Sequence, residues 1–212
     1  MRSRLVEVDI IRPIAILLVV FVHSTAVFTN TWVVPGLQHL EPVPVYVYHN
    51  DFLSSFRMPT IILIAGYVFA YLADARPTAF WRVVTTKFKR LMVPAWLFGT
   101  PYFFMFYEPN LEQFVTLVSR GIGHLWFLPM LFWNMVFGHF LNKIRGRLAT
   151  LLTLSGLMVL SYVSMDVLNI LGLGRAIYFA PVFYVGLVAF RYREVLQERV
   201  RSTTFLVLLA GA

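Results

Sequence analysis

Residues 10–28 read IIRPIAILLVVFVHSTAVF, an apolar run holding one arginine, one histidine and no acid. As a helix rising 1.5 Å per residue it covers ~28 Å, close to the hydrocarbon thickness of a bilayer. The pattern recurs at Phe52–Leu72, Leu91–Tyr107, Leu125–Leu141, Leu148–Ser164 and Ala176–Phe190, and a seventh run begins near Thr203. Composition agrees with a lipid solvent. Only 13% of the 212 residues are charged and 59% are hydrophobic, whereas soluble domains carry about 25% charged residues. The expected fold is therefore all-α: a polytopic transmembrane helical bundle of six complete spans plus a truncated seventh, with its amino terminus in the cytoplasm. The seventh run stops after ~15 Å of helix, half a bilayer. Residues 1–212 are thus expected to form one transmembrane domain, the amino-terminal fragment of a longer one.

The net charge of +8 invites a nucleic-acid reading, but the placement of the charges excludes it. With the amino terminus inside, fifteen of the eighteen Lys and Arg fall on the cytoplasmic side, and Arg57, Arg120 and Arg175 fall outside. That asymmetry is the positive-inside signature. The first run is not expected to be a cleaved leader, since it is long, carries Arg12 and His23 and lacks a clear small-x-small cleavage site. The outer loop Thr29–Asn50, with Pro35, Pro42 and Pro44 and no Lys or Arg, is expected to lie as an ordered or semi-extended lid. The absence of cysteine removes disulfides, thiolate metal sites and a cysteine nucleophile. The histidines show no metal-ligand spacing, and neither a Gly-rich phosphate loop nor a nucleophile elbow is present.

Ionisable side chains inside the runs are costly, roughly 2.5–3.5 kcal/mol each at mid-bilayer, and therefore informative. Arg12 and His23 are eleven positions apart, which returns to within about 20° of one helical face and separates them by about 16.5 Å along the axis. One face thus carries a cation near the cytoplasmic edge and an imidazole near the bilayer middle. Two readings are open for each. Arg12 snorkels and pairs with Asp9, or it holds a ligand; His23 is a hydrogen-bonded packing residue, or a base. Ser24 points about 100° away from His23, which disfavours a Ser–His pair. Arg57, in Phe56-Arg57-Met58-Pro59, either snorkels outward or faces a cavity. Lys87, Lys89 and Arg90 open the third run, where they set topology and meet lipid headgroups, or hold phosphates. At the outer start of the fourth run, His124, Trp126 and Phe127 belong to an aromatic belt or to a binding surface.

These segments, in this order, resemble the membrane acyltransferase-3 family of sugar O-acyltransferases. The residues that carry the resemblance are Asp9-Ile10-Ile11-Arg12 with His23, Ser55-Phe56-Arg57-Met58-Pro59, Ala65-Gly66-Tyr67, Lys89-Arg90-Leu91 with Pro94, and His124-Leu125-Trp126-Phe127-Leu128. They cover positions 7–133; beyond Leu148 only the hydropathy corresponds. Ala65 departs from the pattern, where the family often has serine. The resemblance implies a domain of about ten helices in the cell (inner) membrane, multi-pass, in which Arg12 and His23 are essential for activity. It further implies that Lys89 and Arg90, with Arg12, bind acyl-CoA as co-substrate, with no permanently bound cofactor and no metal. The acyl group, acetyl or succinyl, would pass to a hydroxyl of an envelope carbohydrate or glycan met by Arg57, His124 and Trp126. Membrane lipids are the remaining expected partners, and nucleic acid is not one. The competing function is a transporter or flippase for a lipid-linked sugar or small anion, which intramembrane Arg and His would also serve. A non-catalytic scaffold is disfavoured by the cost of the buried ionisable groups.

Overall fold

Apolar runs without water to satisfy their backbone must satisfy it internally, and helices do so within one segment. Among the described residues the chain consists of helices joined by short turns, with no strand. The computed structural model describes residues 6–29, 41–106, 110–111, 114–115, 123–164 and 171–199. Helix α1 is Val6–Thr25 and α2 is Pro44–Ala75. Helix α3, Phe80–Lys87, passes through a π-helical segment, Phe88–Met92, into α4, Val93–Phe106. Then come α5, Phe127–Leu141, α6, Arg147–Ser164, and α7, Leu173–Arg191. The chain divides into two compact units, with the boundary inside α2 between Ile64 and Ala65.

In the first unit, α1 turns Ile10, Ile14, Leu17 and Val20 outward while Ala15 and Val22 are buried. An outward apolar face of this kind needs lipid against it. The 32 residues of α2 span ~48 Å, well beyond the apolar run that revealed it. Helix begins at Pro44, whose fixed φ suits a first helical position, so residues 44–50 of the expected outer lid are helical. Residues 30–40 of that lid lie outside the described residues. Where the lid rejoins helix, the Val43 amide donates to the Phe28 carbonyl at 3.0 Å, and the Phe28 and Tyr46 rings sit 5.7 Å apart.

The second unit is organised by close approach. Gly66 of α2 lies so near the Phe183 carbonyl of α7 that a Cβ would strike it, and Tyr67 and Tyr71 both meet the Phe190 ring edge-on, at 5.3 and 5.8 Å. Gly138 of α5 packs on the Phe183 ring. The pairs Pro129–Gly172, Gly138–Phe183 and Asn142–Arg191 follow one another in register, so α5 and α7 run in the same direction. The continuous helix Phe80–Phe106 runs against them: Phe80 meets Phe140 at 5.1 Å and Phe88 meets Phe132 at 6.0 Å. The turn at 76–79, the turn at 142–146 and the end of α7 therefore share one end of this unit, and that end holds Arg76, Lys143, Arg145 and Arg147.

The third helix differs from expectation. It starts at Phe80 rather than at the apolar run from Leu91, because α3 is amphipathic and buries Val83 while exposing Trp81 and Arg82. Among the described residues, three helices, Val8–Thr25, Pro44–Ala75 and Leu173–Arg191, are long and apolar enough to cross a membrane; Phe127–Leu141 and Arg147–Val163 are apolar but shorter. The run from Thr203 lies outside the described residues.

Candidate active site

His23 stands in the last turn of α1, nearer the helix end than the mid-bilayer position expected from the apolar run, because regular α-helix stops at Thr25. Its Nδ1 lies 2.7 Å from the Val19 carbonyl. A carbonyl only accepts, so Nδ1 carries the hydrogen, and in the neutral ring the lone pair resides on Nε2. The imidazole is half-buried. Ser24 donates to the Phe21 carbonyl at 2.7 Å, which ties its hydroxyl to its own helix, as its angular offset from His23 had indicated. Arg12 lies on α1 eleven positions before His23; its side chain is outside the described residues.

Two positions beyond His23, the helix end is pinned by a polar network that sequence reading missed. The buried Thr25 hydroxyl donates to Oδ1 of buried Asn50 at 2.9 Å, and Asn50 Nδ2 donates to Thr29 Oγ1 at 3.2 Å. A single amide thus joins the end of α1, the 3₁₀ turn Ala26–Thr29 and the first turns of α2. Polar residues at the edges of two apolar runs were the available signal, but the pairing of positions 25 and 50 is tertiary.

Arg57 sits thirteen positions into α2 and is half-buried. Its Nε and Nη1 are buried without a hydrogen-bond partner.

Lys89 and Arg90 occupy the π-helical segment. Its cause is local: Pro94 has no amide hydrogen, and its ring crowds the carbonyl four residues back, that of Arg90. The ladder widens, and the Val93 amide reaches the Phe88 carbonyl five residues back. Lys89 and Arg90 are exposed. They lie roughly 13 Å along the helix from Phe80, at the level of Phe132 in the middle of α5, and not at a helix start as expected. Lys87, ahead of the apolar run, turns the other way, with its Nζ 5.9 Å from the Phe69 ring centroid.

At the opposite end of the second unit, Trp126 ends the 3₁₀ turn Gly123–Trp126. Phe179 stacks on it at 6.1 Å and the Arg175 guanidinium lies 4.6 Å from its ring centroid. Arg175 and Phe179 are four residues apart on α7, so one helical face presents both. Sequence reading placed Trp126 here and Arg175 on the same side, but not their contact. His124 lies in the same 3₁₀ turn, with its side chain outside the described residues. Of the candidate residues, Arg12, His23 and Arg57 belong to the first unit, and Lys89, Arg90, His124 and Trp126 to the second.

Comparison with known proteins converges on the same reading. The family model of the acyltransferase-3 domain, described as an acyltransferase domain, matches residues 5–212. No curated protein and no solved structure matches the chain. The match covers nearly the whole length, including the region after Leu148 where only hydropathy had corresponded. Together with the long apolar helices, it establishes that the chain belongs to the acyltransferase-3 family and is a membrane acyltransferase.

Proposed function

We propose that this protein is an O-acyltransferase of the cell (inner) membrane that moves an acetyl or succinyl group from cytoplasmic acyl-CoA to a hydroxyl of an envelope carbohydrate. The observation that carries the reading is the 2.7 Å contact between His23 Nδ1 and the Val19 carbonyl. With Nδ1–H committed to the Val19 carbonyl, Nε2 is the basic nitrogen, which is what a general base requires. The acceptor hydroxyl oxygen attacks the thioester carbonyl carbon while its proton passes to Nε2. The tetrahedral intermediate collapses, the carbon–sulfur bond breaks, and the thiolate takes the proton back from His23. The products are an ester and free CoA.

Lys89, Arg90 and Arg12 are the residues assigned to the CoA phosphates. The exposed ammonium of Lys89 and guanidinium of Arg90 suit that role, and the π-helical turn that carries them is a feature often found at functional sites. Arg57, His124 and Trp126 are assigned to the acceptor, for which an aromatic face beside an arginine is a fitting surface. Six crossings with the amino terminus inside are part of this proposal. The shared direction of α5 and α7, and the basic end they point to, support it.

His23→Gln tests the mechanism, because it keeps size and hydrogen bonding but cannot accept the proton. General-base catalysis is worth roughly 10²–10⁴-fold, so the variant is expected to accumulate and bind acyl-CoA normally while its turnover falls by that factor. Near-normal turnover would remove His23 from the chemistry.

A further inference from the structure

Most buried polar groups in folded proteins are hydrogen-bonded, and a buried charge without a partner is among the costliest features a chain can keep. Arg57 keeps one. Its Nε and Nη1 are both buried and unpartnered, although α2 is regular helix on either side. The carboxylate closest in sequence, Asp51, is exposed and, six residues earlier on the same helix, points about 120° away. Snorkelling does not account for the geometry either, since a snorkelling guanidinium reaches outward and hydrates its nitrogens, whereas these two are enclosed.

The position of Arg57 indicates what its donors await. Counted from the Thr25–Asn50 hydrogen bond, His23 lies two residues along α1 and Arg57 seven along α2, distances of about 3 and 10 Å. Both thus lie within about 10 Å of helix from one hydrogen-bonded junction, a reach comparable with a sugar ring bearing a four-carbon acyl chain. We infer that Arg57 is an anion receptor, and that it binds a carboxylate or phosphate group carried by the substrate whose reacting atom lies at His23. This rests on the acyltransferase reading for the identity of the substrate, but not for the binding itself. A planar guanidinium suits such oxyanions better than an ammonium does.

The test is thermal unfolding of the full chain in dodecyl maltoside, comparing wild type, Arg57→Gln and Arg57→Lys. The probes are inorganic phosphate, succinate, uncharged succinamide and phosphatidylglycerol. Removing an uncompensated charge is expected to leave the ligand-free Gln variant at least as stable as wild type. Succinate or phosphate should raise the wild-type melting temperature by about 3 °C at tenfold the dissociation constant, the Lys variant by less and the Gln variant not at all, with succinamide inert. The ratio of succinyl-CoA to acetyl-CoA use then locates the anion: a ratio lowered by Arg57→Gln places it on the acyl group, and an unchanged ratio on the acceptor. Equal stabilisation of wild type and the Gln variant would overturn the inference, as would a response to phosphatidylglycerol alone. A Gln variant that fails to accumulate would also overturn it, because Arg57 would then be holding the fold. Unfolding requires no turnover, so an inactive protein that still answers to succinate through Arg57 would count against the enzyme reading and not against the receptor.

Discussion

An ionisable residue in an apolar run is visible in sequence because its cost is known before its partners are. That is how Arg12, His23 and Arg57 came to notice, and it is also why their settings did not. The hydrogen bond that fixes the His23 tautomer runs to a carbonyl one turn back, a contact that any helical histidine can form or forgo. Asn50 was invisible for a different reason, since its partners Thr25 and Thr29 are more than twenty positions away. Lys89 and Arg90 were legible as a basic pair, but their depth was not, because the helix start was taken from hydropathy and α3 is amphipathic. Their exposure leads to a specific expectation. If they hold CoA phosphates, each lost charge-assisted bond costs about 1.5–3 kcal/mol. Lys89→Ala with Arg90→Ala should then raise KM for acyl-CoA about a hundredfold or more while KM for the acceptor stays near its wild-type value. Steady-state kinetics against each substrate checks this, and equal changes in both constants would return the pair to a topological role.

Element lengths and directions follow from two devices, proline and close contact. Pro44 starts α2 earlier than the apolar run suggested, and Pro94 widens the turn that carries Lys89 and Arg90. Neither could be read as a π-helical segment in advance, because proline in a helix can also kink it or be absorbed by neighbours. Gly66 belongs to one of the motifs that carried the family resemblance, and in the structure its task is packing: it lets α2 approach the backbone of α7 at Phe183, as small residues do between membrane helices. Gly66→Ala would push a methyl group into a carbonyl that cannot turn aside, and overpacking of this kind costs about 1–3 kcal/mol. Gly156, on α6, has nothing within 4 Å of where a Cβ would stand. Gly156→Ala should therefore stabilise by about 0.5–1 kcal/mol through helix propensity alone. Thermal unfolding of both variants in one detergent checks the contrast, and two substitutions with the same sign would refute the packing role of Gly66.

At the scale of the molecule, the class of fold was the most legible property, since hydropathy and the scarcity of charge both demand helices in lipid. Charge placement foretold a polarity that the second unit displays, with Arg76, Lys143, Arg145 and Arg147 gathered where its turns meet and Arg175 with Trp126 at the other end. Sequence could not say which helices pair, because apolar faces in lipid are nearly interchangeable and small residues decide the contacts. The central claim is that this membrane acyltransferase draws acyl groups from the basic side and delivers them to a carbohydrate. Sealed membrane vesicles of each orientation, containing the full-length protein and given acyl-labelled CoA from outside, test it directly. Inverted vesicles, which present the cytoplasmic face, are predicted to attach label to glycan, while right-side-out vesicles given the same CoA attach none. Label on glycan in right-side-out vesicles, or label that crosses inverted vesicles without becoming attached, would contradict the account.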